Sequence, residues 1–205
     1  LPYLPLWPGR VKRATLKEIL SYGINVQLMT AFQLLLEPTA KALLTMFGGL
    51  AAVGWFEMAN RLVIQLRGAI NAAIGALVPT YAHLKETDEE RIQEIYAESY
   101  GGVIYLVIPA LGFVLATIPF ISEIWIGHYE PAFTTYAYIL SCGLFLAMLS
   151  TPAFYANLGM GRVLPNTLGL AAMLAITAAG GSLGYVFGGL AVVVSYSAAY
   201  ICGCA

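Results

Sequence analysis

"EPTAKALLTMFGGLAAVGWFEMANRLVIQLRGAINAAIGALVP", Glu37 to Pro79, decides how this chain is read. It is apolar enough to live in lipid, yet it carries Glu37, Lys41, Glu57, Arg61 and Arg67. A charge at the centre of a bilayer costs between about 3 and more than 10 kcal/mol, so each of these needs a partner, water or a ligand. Helical spacing arranges them. Gln33, Glu37, Lys41 and Thr45 are each four apart, and Glu57, Arg61, Gln65, Gly68, Ala72 and Gly75 step by three or four. Arg67 and Asn71 fall on a neighbouring face of the second series. Two consecutive apolar segments thus each present a polar stripe with both signs of charge.

Two readings of the stripes stay open. Glu37 with Lys41, and Glu57 with Arg61, are i,i+4 pairs in the favourable Glu-first order, so they can neutralise each other or snorkel to the interface. Alternatively the stripes line a water-filled cavity. Arg67 separates the readings. It lies about 21 Å along the helix from Val53, near mid-membrane. It has no acidic residue three or four positions away, and an intramembrane ionisable group marks a substrate path by default. The candidate path residues are Glu37, Lys41, Glu57, Arg61, Gln65, Arg67 and Asn71.

The rest of the chain has the same character: 60% hydrophobic, 10% charged, mean hydropathy +0.78. A soluble domain is about half apolar and about a quarter charged, so an all-α membrane protein is expected. The net charge of −1 and the lack of a basic patch with interleaved aromatics offer nothing to nucleic acid. Cys142, Cys202 and Cys204 make no disulfide or zinc framework and read as buried small hydrophobes. No nucleophile–base pattern, phosphate loop or metal motif appears, so neither an enzyme nor a cofactor is expected.

A spanning helix needs about 20 mostly apolar residues. Six segments qualify, at about 16–47, 53–84, 100–124, 134–158, 163–186 and 190–205, behind an entry segment at 1–15. Pro38 should kink the first and Pro152 break the fourth. "GGLAA" reads as a turn between the first two. The charged run "KETDEERIQEIYAES" reads as a loop with a short helix capped by Thr87 or Asp88. Gly169, Gly180, Gly181 and Gly184 should allow close helix contact in the fifth segment. His83 reads as interfacial, His128 as a residue of the far turn with no metal-spaced companion, Glu123 and Glu130 as solvated rim charges, and Asn157 and Asn166 as caps beside Arg162. Both ends of the sequence look cut, so a fragment of a longer protein is expected, with its N-terminal half missing.

Arg10, Lys12, Arg13 and Lys17 precede the first segment, Lys85 and Arg91 follow the second, and Arg162 lies between the fourth and fifth. If the segments alternate, all seven fall on one side and no Lys or Arg falls on the other, which makes that side cytoplasmic. Trp55, Trp125, Tyr129 and Tyr185 would then mark the far interface.

Several stretches resemble a known family. "VGWFEMANRL", Val53 to Leu62, resembles the V-G-x-Y-x-x-A-x-(K/R)-L stretch of Wzx-type polysaccharide flippases, of the multidrug/oligosaccharidyl-lipid/polysaccharide exporter superfamily. Gly54, Ala59, Arg61 and Leu62 match, and Phe56 stands where Tyr is usual. "LVPTYAHL", "KETDEERIQEIY", "EIWIGHYEPA" and "YANLGMGR" are similar to later stretches of that family, in the same order. The resemblance implies the second six-helix half of a twelve-helix alternating-access transporter in the inner membrane. It implies a polyprenyl-diphosphate-linked oligosaccharide as substrate, surface polysaccharide such as the O-antigen of lipopolysaccharide as product, and a polysaccharide polymerase and ligase as partners besides membrane lipids. Arg61 carries over by motif position; Lys41 and Arg67 do not. An ion-coupled drug or cation exporter of the same superfamily, built on Glu37 and Glu57, is the alternative. A membrane-embedded glycan-assembly enzyme would need larger outer loops than these.

Overall fold

The computed structural model describes residues 13–87 and 89–203. All regular structure among them is helical: α1 (Arg13–Phe47), α2 (Gly49–Gly75), α3 (Val78–Thr87), α4 (Glu89–Ile126), α5 (Pro131–Met148), α6 (Thr151–Gly159), α7 (Val163–Gly181), α8 (Gly184–Phe187) and α9 (Gly189–Gly203). Five stretches are long and apolar enough to cross a membrane: Ile19–Phe47, Gly49–Lys85, Arg91–Ile126, Pro131–Met148 and Val163–Gly181. The sixth expected segment corresponds to α9, which is apolar but spans only 15 residues within the described chain.

The differences from the sequence reading have local causes. The first turn is tighter than "GGLAA": α1 stops at Phe47 and α2 starts at Gly49, whose φ of +79° suits glycine. The second segment is not one helix. Pro79 has no N–H to give the carbonyl of Gly75, and α2 ends there before α3 resumes at Val78. The charged run is not a loop with a separate short helix. Glu89 opens a helix that continues without interruption to Ile126, because Ile92, Ile95 and Tyr96 recur at helical spacing and pack against Tyr81 and Ala156. Thr87 ends α3, and Asp88, the other expected cap, lies outside the described residues. Pro38 sits inside α1, and the fourth segment breaks at Leu149–Ser150, just ahead of Pro152.

The packing runs in a ring: α1 lies on α7, α7 on α9, α9 on α5, α5 on α2, and α2 back on α1, with α4 against the outer side of α5. Leu36, Ala40 and Leu44 of α1, and Phe56, Ala59 and Val63 of α2, meet Val192, Val193 and Tyr196 of α9 in one core. Phe56 and Tyr196 pack edge to face with ring centroids 5.2 Å apart. Small residues let these backbones approach. A Cβ on Gly169 would stand 2.5 Å from the carbonyl oxygen of Gly203, and one on Gly180 would stand 2.7 Å from Ser195 Oγ. Gly181 and Gly184 meet Leu43 and Phe47 in the same way, so all four glycines of the fifth segment serve close contact.

The outer surface is apolar. Tyr105, Ile108, Phe113, Phe120 and Ile124 of α4 are exposed, as side chains facing lipid are. Cys142 and Cys202 are free and exposed rather than buried, and Cys204 lies outside the described residues. Glu130 is more than a rim charge. Its side chain caps α5 through the N–H of Ala132, and Ser122 Oγ fastens the same turn to His128 O and Glu130 N. Asn157 and Asn166 are not caps. Asn157 Nδ2 donates to Asn166 Oδ1 at 3.2 Å and Asn166 Nδ2 donates to the carbonyl of Phe154 at 2.8 Å, which ties α6 to α7.

Candidate functional site: an ion-paired seam and a cavity around Arg67

The charged residues of α1 and α2 fall into two places. The first is a chain of alternating charge. Lys41 Nζ lies 2.6 Å from Glu37 Oε1 on its own helix and is also ion-paired with Glu57 across the seam to α2. Arg61 Nε donates to Glu57 Oε1 at 3.0 Å. Both i,i+4 pairs expected from the spacing are therefore present. The cross-helix bond from Lys41 to Glu57 joins them into one chain of two acids and two bases with no net charge. Lys41 and Glu57 are each 31% exposed and Arg61 is 72% exposed, so the chain runs from the seam outward to an accessible guanidinium. Thr45 Oγ1 returns its hydrogen bond to the carbonyl of Lys41. Gln65, one turn beyond Arg61, is exposed.

Arg67 lies apart from that chain. Positions two apart on a helix are about 200° around it, so Arg67 points away from Gln65 and toward α9. Its guanidinium lies over the ring of Tyr200, 5.0 Å from the centroid. Tyr200 in turn packs on Tyr196, with their hydroxyls 3.3 Å apart. The partner that Arg67 lacked on its own helix is thus an aromatic face from α9. Arg67 makes no hydrogen bond or ion pair with any described residue, so its N–H donors remain available.

Arg67 borders a cavity of about 500 Å³ between α1, α2 and the α5–α7 and α9 side of the ring. Gln33, Asn71, Tyr155, Asn157 and Asn166 contribute polar edges, and Ser150 and Thr151 line it where the α5–α6 helix is broken. Among the described lining residues Arg67 alone is charged. Of the seven expected path residues, Glu37, Lys41, Glu57 and Arg61 form the seam, Arg67 and Asn71 line the cavity, and Gln65 joins neither. Tyr155, Tyr200 and the Asn157–Asn166 pair are contributors the spacing did not single out. Their only signal was polarity or aromaticity in otherwise apolar segments. Among the described residues no three His, Cys, Asp or Glu side chains gather into a metal site, and His128 lies 3.5 Å from Glu130.

An all-helical bundle with five helical stretches long and apolar enough to cross a membrane is the framework of a multi-pass membrane protein. The chain belongs to the polysaccharide biosynthesis protein family, which matches residues 4–132, from the entry segment to the start of α5. That match takes in the seam, Arg67 and the Val53–Leu62 stretch, in keeping with the resemblance to Wzx-type proteins. No curated protein and no solved structure matches the chain.

Proposed function

We propose that the protein flips a polyprenyl-diphosphate-linked oligosaccharide from the cytoplasmic to the outer leaflet for surface polysaccharide assembly. It acts as one half of an alternating-access transporter in the inner membrane, with its N-terminal segment cytoplasmic. It does no covalent chemistry and hands its cargo to a polymerase and ligase. The observation that carries this reading is the polar cavity around Arg67, inside an apolar bundle of the polysaccharide biosynthesis family whose charge-balanced seam ends in the accessible Arg61. A diphosphate needs cations and sugars need hydrogen-bonding walls. Arg61, the most exposed cation of the seam, meets the diphosphate, and the cavity receives the adjoining glycan. The ion-coupled exporter has less support, because Glu37 and Glu57 are both already ion-paired with Lys41.

The test is surface glycan in cells carrying variants of the complete protein at wild-type membrane level. Arg67→Gln should abolish it. Arg67→Lys should keep part of it, since a point charge remains while the planar fork is lost. Replacing Glu57 and Arg61 together with Leu and Met should also abolish it, whereas a purely structural pair tolerates such a swap. Normal glycan in Arg67→Gln would remove the cavity from the path.

A further inference from the structure

We infer that the Arg67 cavity is a binding site for one glycosyl unit that carries its own anionic group, separate from the diphosphate; this rests on the export reading and specifies the cargo. The argument is one of charge placement. The seam is neutral, because Glu37, Lys41, Glu57 and Arg61 satisfy one another. The cavity has one positive charge and no carboxylate among its described lining. The Arg67 guanidinium lies over the Tyr200 ring, and its N–H donors have no hydrogen-bond partner among the described residues. A planar guanidinium beside an aromatic ring, with its donors free, suits a carboxylate or phosphate that accepts two parallel hydrogen bonds.

The remaining lining suits the rest of a sugar. Gln33, Asn71, Asn157 and Asn166 offer amide donors and acceptors, which hydroxyl groups answer in both directions. Phe154 and Tyr155, packed edge to face at 5.4 Å, offer an apolar surface for the C–H face of a pyranose. The volume of about 500 Å³ falls in the range of about 300–1,000 Å³ usual for small-ligand sites. A bare inorganic anion would leave the amides unused, and a neutral sugar would leave the one positive charge of the lining unanswered.

Cys202 lines the same cavity and is exposed, so it reports on occupancy. With Cys142→Ser and Cys204→Ser, maleimide labelling of Cys202 is timed on purified protein in lipid nanodiscs. The probes are glucuronate, glucose 6-phosphate, glucose and inorganic phosphate. Glucuronate or glucose 6-phosphate should slow labelling at concentrations about tenfold below those at which glucose does, the worth of one charge-assisted contact. Whichever is stronger names carboxylate or phosphate as the glycan's anionic group. Arg67→Gln should erase the difference between charged and neutral sugars, Arg67→Lys should keep part of it, and Arg162→Gln, outside the cavity, should keep all of it. Equal protection by glucose and the charged sugars in the wild-type chain, protection by phosphate as strong as by the sugar acids, or no protection at all would each overturn the inference. The wild-type comparison stands even if Arg67→Gln fails to fold. Surface glycan that needs Arg67 while no saccharide protects Cys202 would remove this site and leave the export reading. Protection of Cys202 alongside normal glycan in Arg67→Gln cells would do the reverse.

Discussion

Lys41 is the hub of the seam, and replacing it by Met should cost about 2 kcal/mol. The figure comes from position. Fully exposed ion pairs contribute about 0.2–1 kcal/mol, and breaking a buried pair costs about 3–5 kcal/mol. Lys41 and Glu57 are 31% exposed, which places the loss between these limits. Lys41→Met leaves Glu57 with Arg61 as a remaining partner but strands Glu37. For a chain of this size about 2 kcal/mol corresponds to a fall in Tm of roughly 4–8 °C. Thermal unfolding in detergent, followed by tryptophan fluorescence, measures it. Glu37→Gln added to Lys41→Met should recover part of the loss, because the stranded carboxylate is gone. A double-mutant cycle on Lys41 and Glu57 should show a coupling of about 1 kcal/mol. A Lys41→Met protein melting within about 1 °C of wild type, or a double variant no better than the single one, would refute the argument that Lys41 joins the two helices.

Two further outcomes follow from the architecture. Single cysteines at Gly49 and Asp88, in a chain without its native cysteines, should label from opposite sides of the membrane, with Asp88 cytoplasmic; labelling of both from one side would overturn the topology drawn from the Lys and Arg distribution. Gly143→Ala should cost about 1–3 kcal/mol, because the new methyl group would overlap Ser197 Oγ where α5 meets α9; an unchanged melting temperature would mean that this contact is looser than described.

What the sequence revealed follows the range of the interactions involved. The pairs Glu37–Lys41 and Glu57–Arg61 were legible because the helical period alone sets which side chains four apart can touch. The bond from Lys41 to Glu57 was not, since it depends on how α1 and α2 slide past each other. Tyr200 as the partner of Arg67 was beyond reach for the same reason, with most of the chain between them. The break before α3 goes unread, because residues 53–84 read as one continuous segment, although Pro79, whose missing N–H falls within it, is a local cause. The length of α4 was hidden because a run of charges resembles a loop, although Ile92, Ile95 and Tyr96 kept the helical period through it. The turn of Asn157 toward Asn166 rather than a helix end reflects the close approach of α6 to α7, which no local pattern encodes.

The stacking of Arg67 on Tyr200 also sets an order of events during synthesis. The two i,i+4 pairs can close as soon as each helix forms, so Glu37, Lys41, Glu57 and Arg61 enter the bilayer already neutralised. Arg67 cannot be answered in that way. Its aromatic partner leaves the ribosome about 130 residues later, which at about 5–20 residues per second is an interval of roughly 7–26 s. Throughout that time its guanidinium must draw on water or lipid phosphate. The arrival of α9 therefore supplies the aromatic partner of a cation inserted about 130 residues earlier, and a chain that stalls before α9 leaves that charge open to the quality-control machinery of the membrane.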